Sequence, residues 1–494
     1  MKVLLEMRPA LDGHAGIPQE NRLLFSALCG IDDLEVQGLL QSGSRVLAEG
    51  LPLVEGEIQH ALPPHEEINR MSQVVVSLQP VTQADRLDRV SRNLRSMWSP
   101  IEVTLCTLLG FRLPISGFDP TRFHDFLWRS LFAKTLPVDD FARVMRAQFR
   151  VLRSPYGAMH ACGLLTRRFG FGLFPRLQTQ GVDVMIAQTP YPARVNRPTR
   201  LIVRYMDAVP MLMPHTIIAR TFHQASHFEA LKRNVRDGAY FACASEATRQ
   251  DLLAMFPQAE SRAVTIHCML SHHYFAEEAT PDRLHEVLDK RGHAVAGAVK
   301  GPSRSSPASF AAFPKFLLMV STLEPRKNHA TLLFAWEQLR LSGHDDLKLV
   351  IVGSLGWDFE SIVAPMKPWI ERGELFLLGN MPAEELRLLY RYAQATVCPS
   401  LAEGFDYSGV EAMRCGGVVA ASDMAVHREV FANAAEYFSA YSVSDAVATL
   451  SKFVGTGSEK LRAELTARGV DVSNRYLPDV IVPKWQALLD QVVS

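Results

Sequence analysis

Short apolar runs bounded by turn residues recur along this chain and alternate with helix-length stretches, the mark of parallel strand–helix–strand units. "KVLLEM" from Lys2, "DVMIAQ" from Asp183, "RLIVRYMD" from Arg200, "YFACAS" from Tyr240 and "AVTIHCM" from Ala263 form a first series. "KFLLMVST" from Lys315, "LKLVIVGS" from Leu347, "ELFLLGN" from Glu374, "ATVCPS" from Ala395 and "GGVVAAS" from Gly416 form a second. Between them, residues 276–314 are rich in Ala, Gly, Ser and Pro and read as a linker. The expected fold is therefore α/β: two doubly wound, Rossmann-like domains whose strand carboxyl ends face a shared cleft. The expected division is 1–275 for the first domain, 276–314 for the linker and 315–470 for the second. Residues 471–494 would form a C-terminal helix that crosses back to the first domain. A length of 494 residues agrees with more than one core.

Charge narrows the function classes. Fifty-two basic residues balance 52 acidic ones, so no overall field favours nucleic acid. The seven cysteines include no CxxC pair, which argues against a zinc site or a disulfide frame and for a reducing compartment. The apolar run in "MKVLLEMRPALDG" is too short for a signal peptide, and no run approaches the roughly 18 residues of a membrane span. A cytoplasmic protein is expected.

Residues 119–180 are expected to be a mostly helical insertion in the first domain. Within 121–180 ten Arg or Lys face three Asp. "VDDFARVMRAQFRVLR" reads as a helix with Phe141, Met145, Phe149 and Leu152 on one stripe and Arg143, Arg146, Arg150 and Arg153 on another. Phe123, Phe126, Trp128, Phe132, Phe169, Phe171 and Phe174 add aromatic surface nearby. Two readings stay open here: a packed elaboration with solvated arginines, or docking of 121–180 on an anionic inner membrane, which would make the protein peripheral there.

The second series carries the chemistry. In "STLEPRKNHATLLFAWEQL", Arg326 and Lys327 sit at a strand's end just before Asn328 opens a helix, a suitable seat for a diphosphate. Gly353 in "VGSLGWDFE" permits close backbone approach to a ligand or simply makes a turn. Met381 in "LGNMPAEELRLLY" offers an apolar face to a nucleobase or plain packing. In "PSLAEGFDYSGVEAMRCGG", Ser408-x-x-Glu411 matches a helix capping box, whereas Glu403 has no such local task. A carboxylate there is a good acceptor for the vicinal hydroxyls of a sugar or ribose.

These motifs together resemble the donor-binding domain of retaining glycosyltransferases of the GT-B fold, family 4 (glycosyl transferases group 1, bacterial polysaccharide type). "STLEPRKN", "VIVGSLGW", "LGNMPAEELRLLY", the E-x7-E of "EGFDYSGVEAMRCGG" and "HREVFANAAEYF" carry the resemblance. "HAGIPQENRLL", "RYMDAVPMLMPH" and "CASEATRQDLLAMFP" extend it more loosely into the first half. The resemblance implies that Arg326 and Lys327 bind the donor diphosphate and that Glu411 holds the ribose hydroxyls. It places Glu403, with the backbone at Phe405 and Asp406, on the donor sugar, and the Gly16 amide near the phosphates. Two departures stand out. Asp406 occupies a place where relatives commonly carry glycine, and Met206 precedes Asp207 on the acceptor side where many carry histidine.

No D-x-D triplet occurs, so no metal and no cofactor are expected. Arg326, Lys327 and helix-start amides would stabilise the leaving diphosphate. The resemblance implies a metal-independent, retaining hexosyltransferase of bacterial surface polysaccharide synthesis (capsule or lipopolysaccharide). It would use a nucleotide-sugar donor, with GDP-mannose favoured, and a glycan or lipid-linked acceptor. Two alternatives remain at this point: a degenerate transferase acting as a binding subunit, and a sugar-nucleotide epimerase.

Overall fold

A computed structural model describes every residue except 15, 61, 80–85, 169–171 and 292–312. Two parallel sheets organise it. The first has eight strands, which in spatial order begin at Ala263, Tyr240, Arg200, Val184, Lys2, Glu35, Gln148 and Ile115. All pair in parallel except the edge strand Ile115–Phe118, which runs antiparallel to Gln148–Leu152. The second has six parallel strands beginning at Leu375, Lys348, Phe316, Ala395, Val419 and Ala435. Numbered along the chain, that order is 3-2-1-4-5-6, and it reverses between Phe316–Val320 and Ala395–Cys398. A crevice at the carboxyl ends of the strands opens at such a reversal. The first sheet reverses between Lys2–Glu6 and Val184–Ala187.

Central strands such as Val184–Ala187 and Ala395–Cys398 are wholly buried, which is why they read as unbroken apolar runs. Helices cover both faces. The last one, Pro478–Val493, places Ile481, Trp485, Leu488 and Leu489 in the core of the first half. The fold is GT-B.

Three expectations need correction. Residues 141–153 are not one helix: a short helix Phe141–Val144 gives way to the strand Gln148–Leu152, which pairs with Glu35–Leu40. Phe149 and Leu152 are buried, and so is Arg150, which donates to the carbonyls of Gly56 (2.7 Å) and Gln180 (3.3 Å). The arginine stripe therefore does not exist on one helix, and 119–180 supplies a strand of the sheet as well as the helix Tyr156–Arg167. Phe132 and Phe174 are buried, and Phe123, Phe126 and Trp128 pack on the core, so the aromatics there do not form an exposed surface; Phe169 and Phe171 lie outside the described residues. The chain's long helical elaboration lies earlier, at Pro64–Leu78 and Arg86–Leu108. Finally, the stretch read as linker begins with a helix, Pro281–Arg291, whose Leu284, Val287 and Leu288 pack into the second core.

Candidate active site

The strand Phe316–Val320 ends at the crevice of the second sheet, and a single 3-10 turn, Pro325–Lys327, follows. That turn carries Arg326 and Lys327 to the mouth of the switch point. From the other side of the reversal, the loop after Ala395–Cys398 brings Glu403. Arg326 donates to Glu403 Oε2 (2.9 Å) and to the Ala402 carbonyl (2.9 Å), and its Nε lies 2.6 Å from Glu324 Oε1. Lys327 Nζ and the Ser400 hydroxyl both donate to Glu403 Oε1, the latter at 2.7 Å. The sequence could not show that Glu403 is the anchor of the two cations. Burial works to raise the Glu403 pKa, but Lys327 and Arg326 together hold it below the ordinary carboxylate range. Glu324 is pushed up, chiefly by burial. The following helix, His329–Leu341, has no side-chain cap, because Asn328 turns its amide to the Pro399 and Ala440 carbonyls instead. The uncapped amides and the two cations lie at the same strand end, a setting that favours an anion.

Glu411 does not cap. Asp406 does: its backbone is left-handed (φ 70°) and its Oδ1 accepts from the Ser408 amide (3.1 Å) and hydroxyl (2.6 Å). Its Oδ2 lies 3.1 Å from His427 Nε2. The other ring nitrogen of His427 lies 2.9 Å from the Ser422 carbonyl oxygen. Although burial opposes ionisation, the His427 hydrogen bond and charge hold the Asp406 pKa low. The capping-box spacing was thus coincidental, and Glu411 is left free for another role. Gln19 donates to its Oε1 (2.8 Å) and Tyr390 to its Oε2 (2.9 Å), across the boundary between the halves in the first case. Burial lifts the Glu411 pKa to about 7, against the lowering effect of Gln19, Tyr390 and Tyr274.

The halves are bolted together beside this site. Gly16 is the N-cap of Ile17–Leu28 with φ 69°, and open space surrounds the position a Cβ would take. One turn along, Glu20 accepts from Tyr407 (2.6 Å) of the second half and from the buried Arg204 (2.9 Å). Gly404, next to Glu403, meets the backbone carbonyl of Met206 so closely that a Cβ would sit 1.8 Å from the oxygen. Met206 is buried, Asp207 accepts from the Val209 amide (3.0 Å), and both lie against Gly404, next to Glu403. Glu429 of the second half accepts from the Glu246 and Ala247 amides at a helix start of the first, and from or beside His267 at 2.7 Å.

Other expected contacts resolve differently. The close approach at Gly353 is to the Ser321 carbonyl, 1.8 Å from a built Cβ, so the loop's own packing explains that glycine. The Phe405 ring is buried against Tyr407 and Tyr476, which leaves only its backbone for a ligand. Met381 is half-buried on the second core. Sequence reading missed the opposite wall. At the reversal of the first sheet, buried Glu6 accepts from Arg8 (2.8 Å) and the Gln188 amide (3.0 Å), and Arg8 stacks 3.8 Å over the Tyr156 ring. Both side-chain amide atoms of Gln188 and one nitrogen of His160 are buried there without a partner among the described residues. Only the order of the strands, which brings Glu6 beside Gln188, could have indicated them. Among the described residues no group of three His, Cys, Asp or Glu is placed to hold a metal, and no helix is long and apolar enough to cross a membrane.

Residues 307–469 match the family model described as glycosyl transferases group 1. Over 140 residues the chain is 38% identical to the serotype-specific mannosyltransferase WbdA of Escherichia coli, covering 28% of this chain and 17% of that protein. Over 239 residues it is 26% identical to the O-antigen chain mannosyltransferase B of Escherichia coli, covering 45% of this chain and 58% of that one. The matches thus span less than two thirds of either relative. Sucrose-phosphate synthase from Thermosynechococcus elongatus shares the fold across 99% of this chain and 98% of its own, with a TM-score of 0.58 at 12% identity.

Proposed function

Residues 307–469 form a glycosyl transferases group 1 segment within a GT-B fold, and from that premise we propose that the chain is a retaining mannosyltransferase of bacterial surface polysaccharide synthesis. The donor is a nucleoside-diphosphate sugar, GDP-mannose, and the acceptor is a glycan or a lipid-linked glycan met at the cytoplasmic face of the membrane. The observation that carries this is the convergence of Arg326, Lys327 and Glu403 at the sheet reversal, beside Glu411 and the first half's Gly16 helix.

In this reading the donor's diphosphate lies against Arg326, Lys327 and the open amides of His329–Leu341. Glu403 and Glu324 hold the two cations in place before the donor arrives, so little reorganisation accompanies the growth of charge on the leaving group. Glu411, fixed by Gln19 and Tyr390, accepts from the ribose hydroxyls. The sugar sits between the Glu403–Asp406 backbone and Met206-Asp207, and the acceptor approaches along the wall of Glu6, Arg8 and Tyr156. The acceptor hydroxyl attacks from the face that the diphosphate leaves, and the leaving phosphate takes its proton, which gives retention. Met206 cannot donate a hydrogen bond to the sugar. Its contribution is the backbone carbonyl that meets Gly404.

The reading is tested by following release of the nucleoside diphosphate from a panel of nucleotide sugars, with acceptor glycan, in the presence of EDTA. GDP-mannose should be consumed, at a rate EDTA leaves unchanged, and the product should keep the donor's anomeric configuration. Loss of turnover in EDTA that Mn²⁺ restores would contradict the leaving-group argument. Binding of GDP with no turnover of any donor would favour a binding subunit instead.

A further inference from the structure

A cavity of about 870 Å³ lies at the other end of the first half. It is lined at the start of the strand Arg200–Tyr205 and at the end of the helix Arg220–Arg236, the edge of the sheet opposite the strand carboxyl ends that face the donor crevice. Six of its lining residues are arginines: Arg112, Arg176, Arg194, Arg197, Arg200 and Arg236. One carboxylate, Asp237, lines it too, and it is already engaged by Arg194 (2.8 Å) and Arg233 (2.9 Å). The side chains of the other five arginines make no hydrogen bond or ion pair with any described residue.

This is an unusual way to place positive charge. Arg112 pairs with Arg176 in a two-stranded parallel ladder, and Arg176 bridges in turn to Arg194, so three arginines stand in register across adjacent strands. Like charges directly opposite each other on neighbouring strands are destabilising. A second observation points the same way. Asn196 lines the cavity, is 5% exposed, and leaves both its amide nitrogen and its oxygen buried without a partner among the described residues. Uncompensated buried amides are costly unless a ligand or water completes them.

We propose that this cavity binds a phosphate-bearing ligand at a site separate from the donor crevice. Multidentate guanidinium contacts suit tetrahedral phosphate oxygens, and Asn196 adds a neutral donor. The phosphate is either free in solution or displayed by a lipid. The helix Arg86–Leu108, which runs into Arg112, exposes Leu94, Met97, Trp98, Ile101, Leu105 and Leu108 along one side, a row that would lie comfortably against such a lipid.

The test uses the full chain carrying Arg326→Ala and Lys327→Ala, so that a diphosphate cannot report the donor crevice. Inorganic pyrophosphate is titrated by calorimetry, and phosphatidylglycerol and phosphatidylcholine vesicles are compared by flotation. The same measurements are repeated after adding Arg176→Gln, Arg197→Gln and Arg236→Gln. Pyrophosphate binding that weakens on the order of tenfold or more with the added changes identifies a site for free phosphate. Flotation with phosphatidylglycerol alone, lost with the same changes, identifies lipid-borne phosphate. Without ligand, Arg176→Gln should raise the melting temperature by relieving repulsion, which separates loss of binding from loss of folding. If the added changes alter neither pyrophosphate binding nor flotation, or if Arg176→Gln lowers the ligand-free melting temperature, the proposal is overturned. Because the crevice is disabled throughout, its outcome is independent of the donor reading.

Discussion

Gly404→Ala is expected to lower turnover on the order of a hundredfold while each half remains folded. The built Cβ would lie 1.8 Å from the Met206 carbonyl oxygen and 2.8 Å from its carbon, both backbone atoms that cannot rotate away. The loop must therefore shift by an ångström or more, and Glu403 shifts with it. Since Glu403 anchors Arg326 and Lys327, the two cations proposed to hold the leaving group move off station relative to the first half. Misplacement on this scale costs roughly a hundredfold in an oriented reaction, whereas overpacking at one loop costs about 1–3 kcal/mol of stability. Circular dichroism and steady-state turnover on the same preparation separate the two effects. Turnover within threefold of wild type would mean that the contact between Gly404 and Met206 does not position the site.

Glu411→Gln should act in opposite directions on stability and on binding. Burial raises the Glu411 pKa from 4.5 to about 7, so the folded state holds this proton more tightly than the unfolded chain. Stability from this group is therefore greatest below about pH 4.5 and falls as pH rises toward 7. Above that it is lower by roughly 3 kcal/mol. Glutamine keeps an acceptor for Gln19 and a donor for the Tyr390 oxygen without the buried charge. The variant should melt higher than wild type at pH 8 and close to it near pH 5. It should also bind the nucleoside diphosphate more weakly, because the proposed ribose contact loses an anionic acceptor. Melting curves at the two pH values and calorimetry at pH 8 check both halves. A variant less stable at pH 8 would show that the carboxylate is held for structure.

Much of this architecture was legible because doubly covered strands admit few polar residues. "KVLLEM", "DVMIAQ" and "LKLVIVGS" could hardly have been anything else, and the two-half plan followed from their order. The strand Gln148–Leu152 was hidden because Arg143, Arg146, Arg150 and Arg153 happen to fall at helical spacing. Its inner arginine is tolerated only because the carbonyls of Gly56 and Gln180, distant in sequence, satisfy it. Phe149 instead fits against Gly38, whose missing side chain leaves room for the ring: a built Cβ would be 2.6 Å away.

At the site, residue types were readable and partnerships were not. Arg326 and Lys327 suggested an anion, but nothing local tied them to Glu403, 77 and 76 positions away. Ser408-x-x-Glu411 invited a capping box, and Asp406 took the cap through an Asx turn that the pattern D-x-S also permits. Gln19 and Glu411 lie 392 positions apart, and Glu20 and Tyr407 lie 387 apart, so only the closed fold brings them together. The wall of Glu6, Arg8 and Gln188 depends on strand order in the same way.

The central claim is that the crevice at Arg326 and Lys327 seats a nucleoside diphosphate, and titration of GDP into wild type, Arg326→Ala and Lys327→Ala by calorimetry tests it most directly. Each charge-assisted contact is worth about 1.5–3 kcal/mol, so the account predicts affinity at this crevice lower by on the order of tenfold or more in each variant, measured where circular dichroism shows each variant folded. GDP affinity equal to wild type in both variants would contradict it.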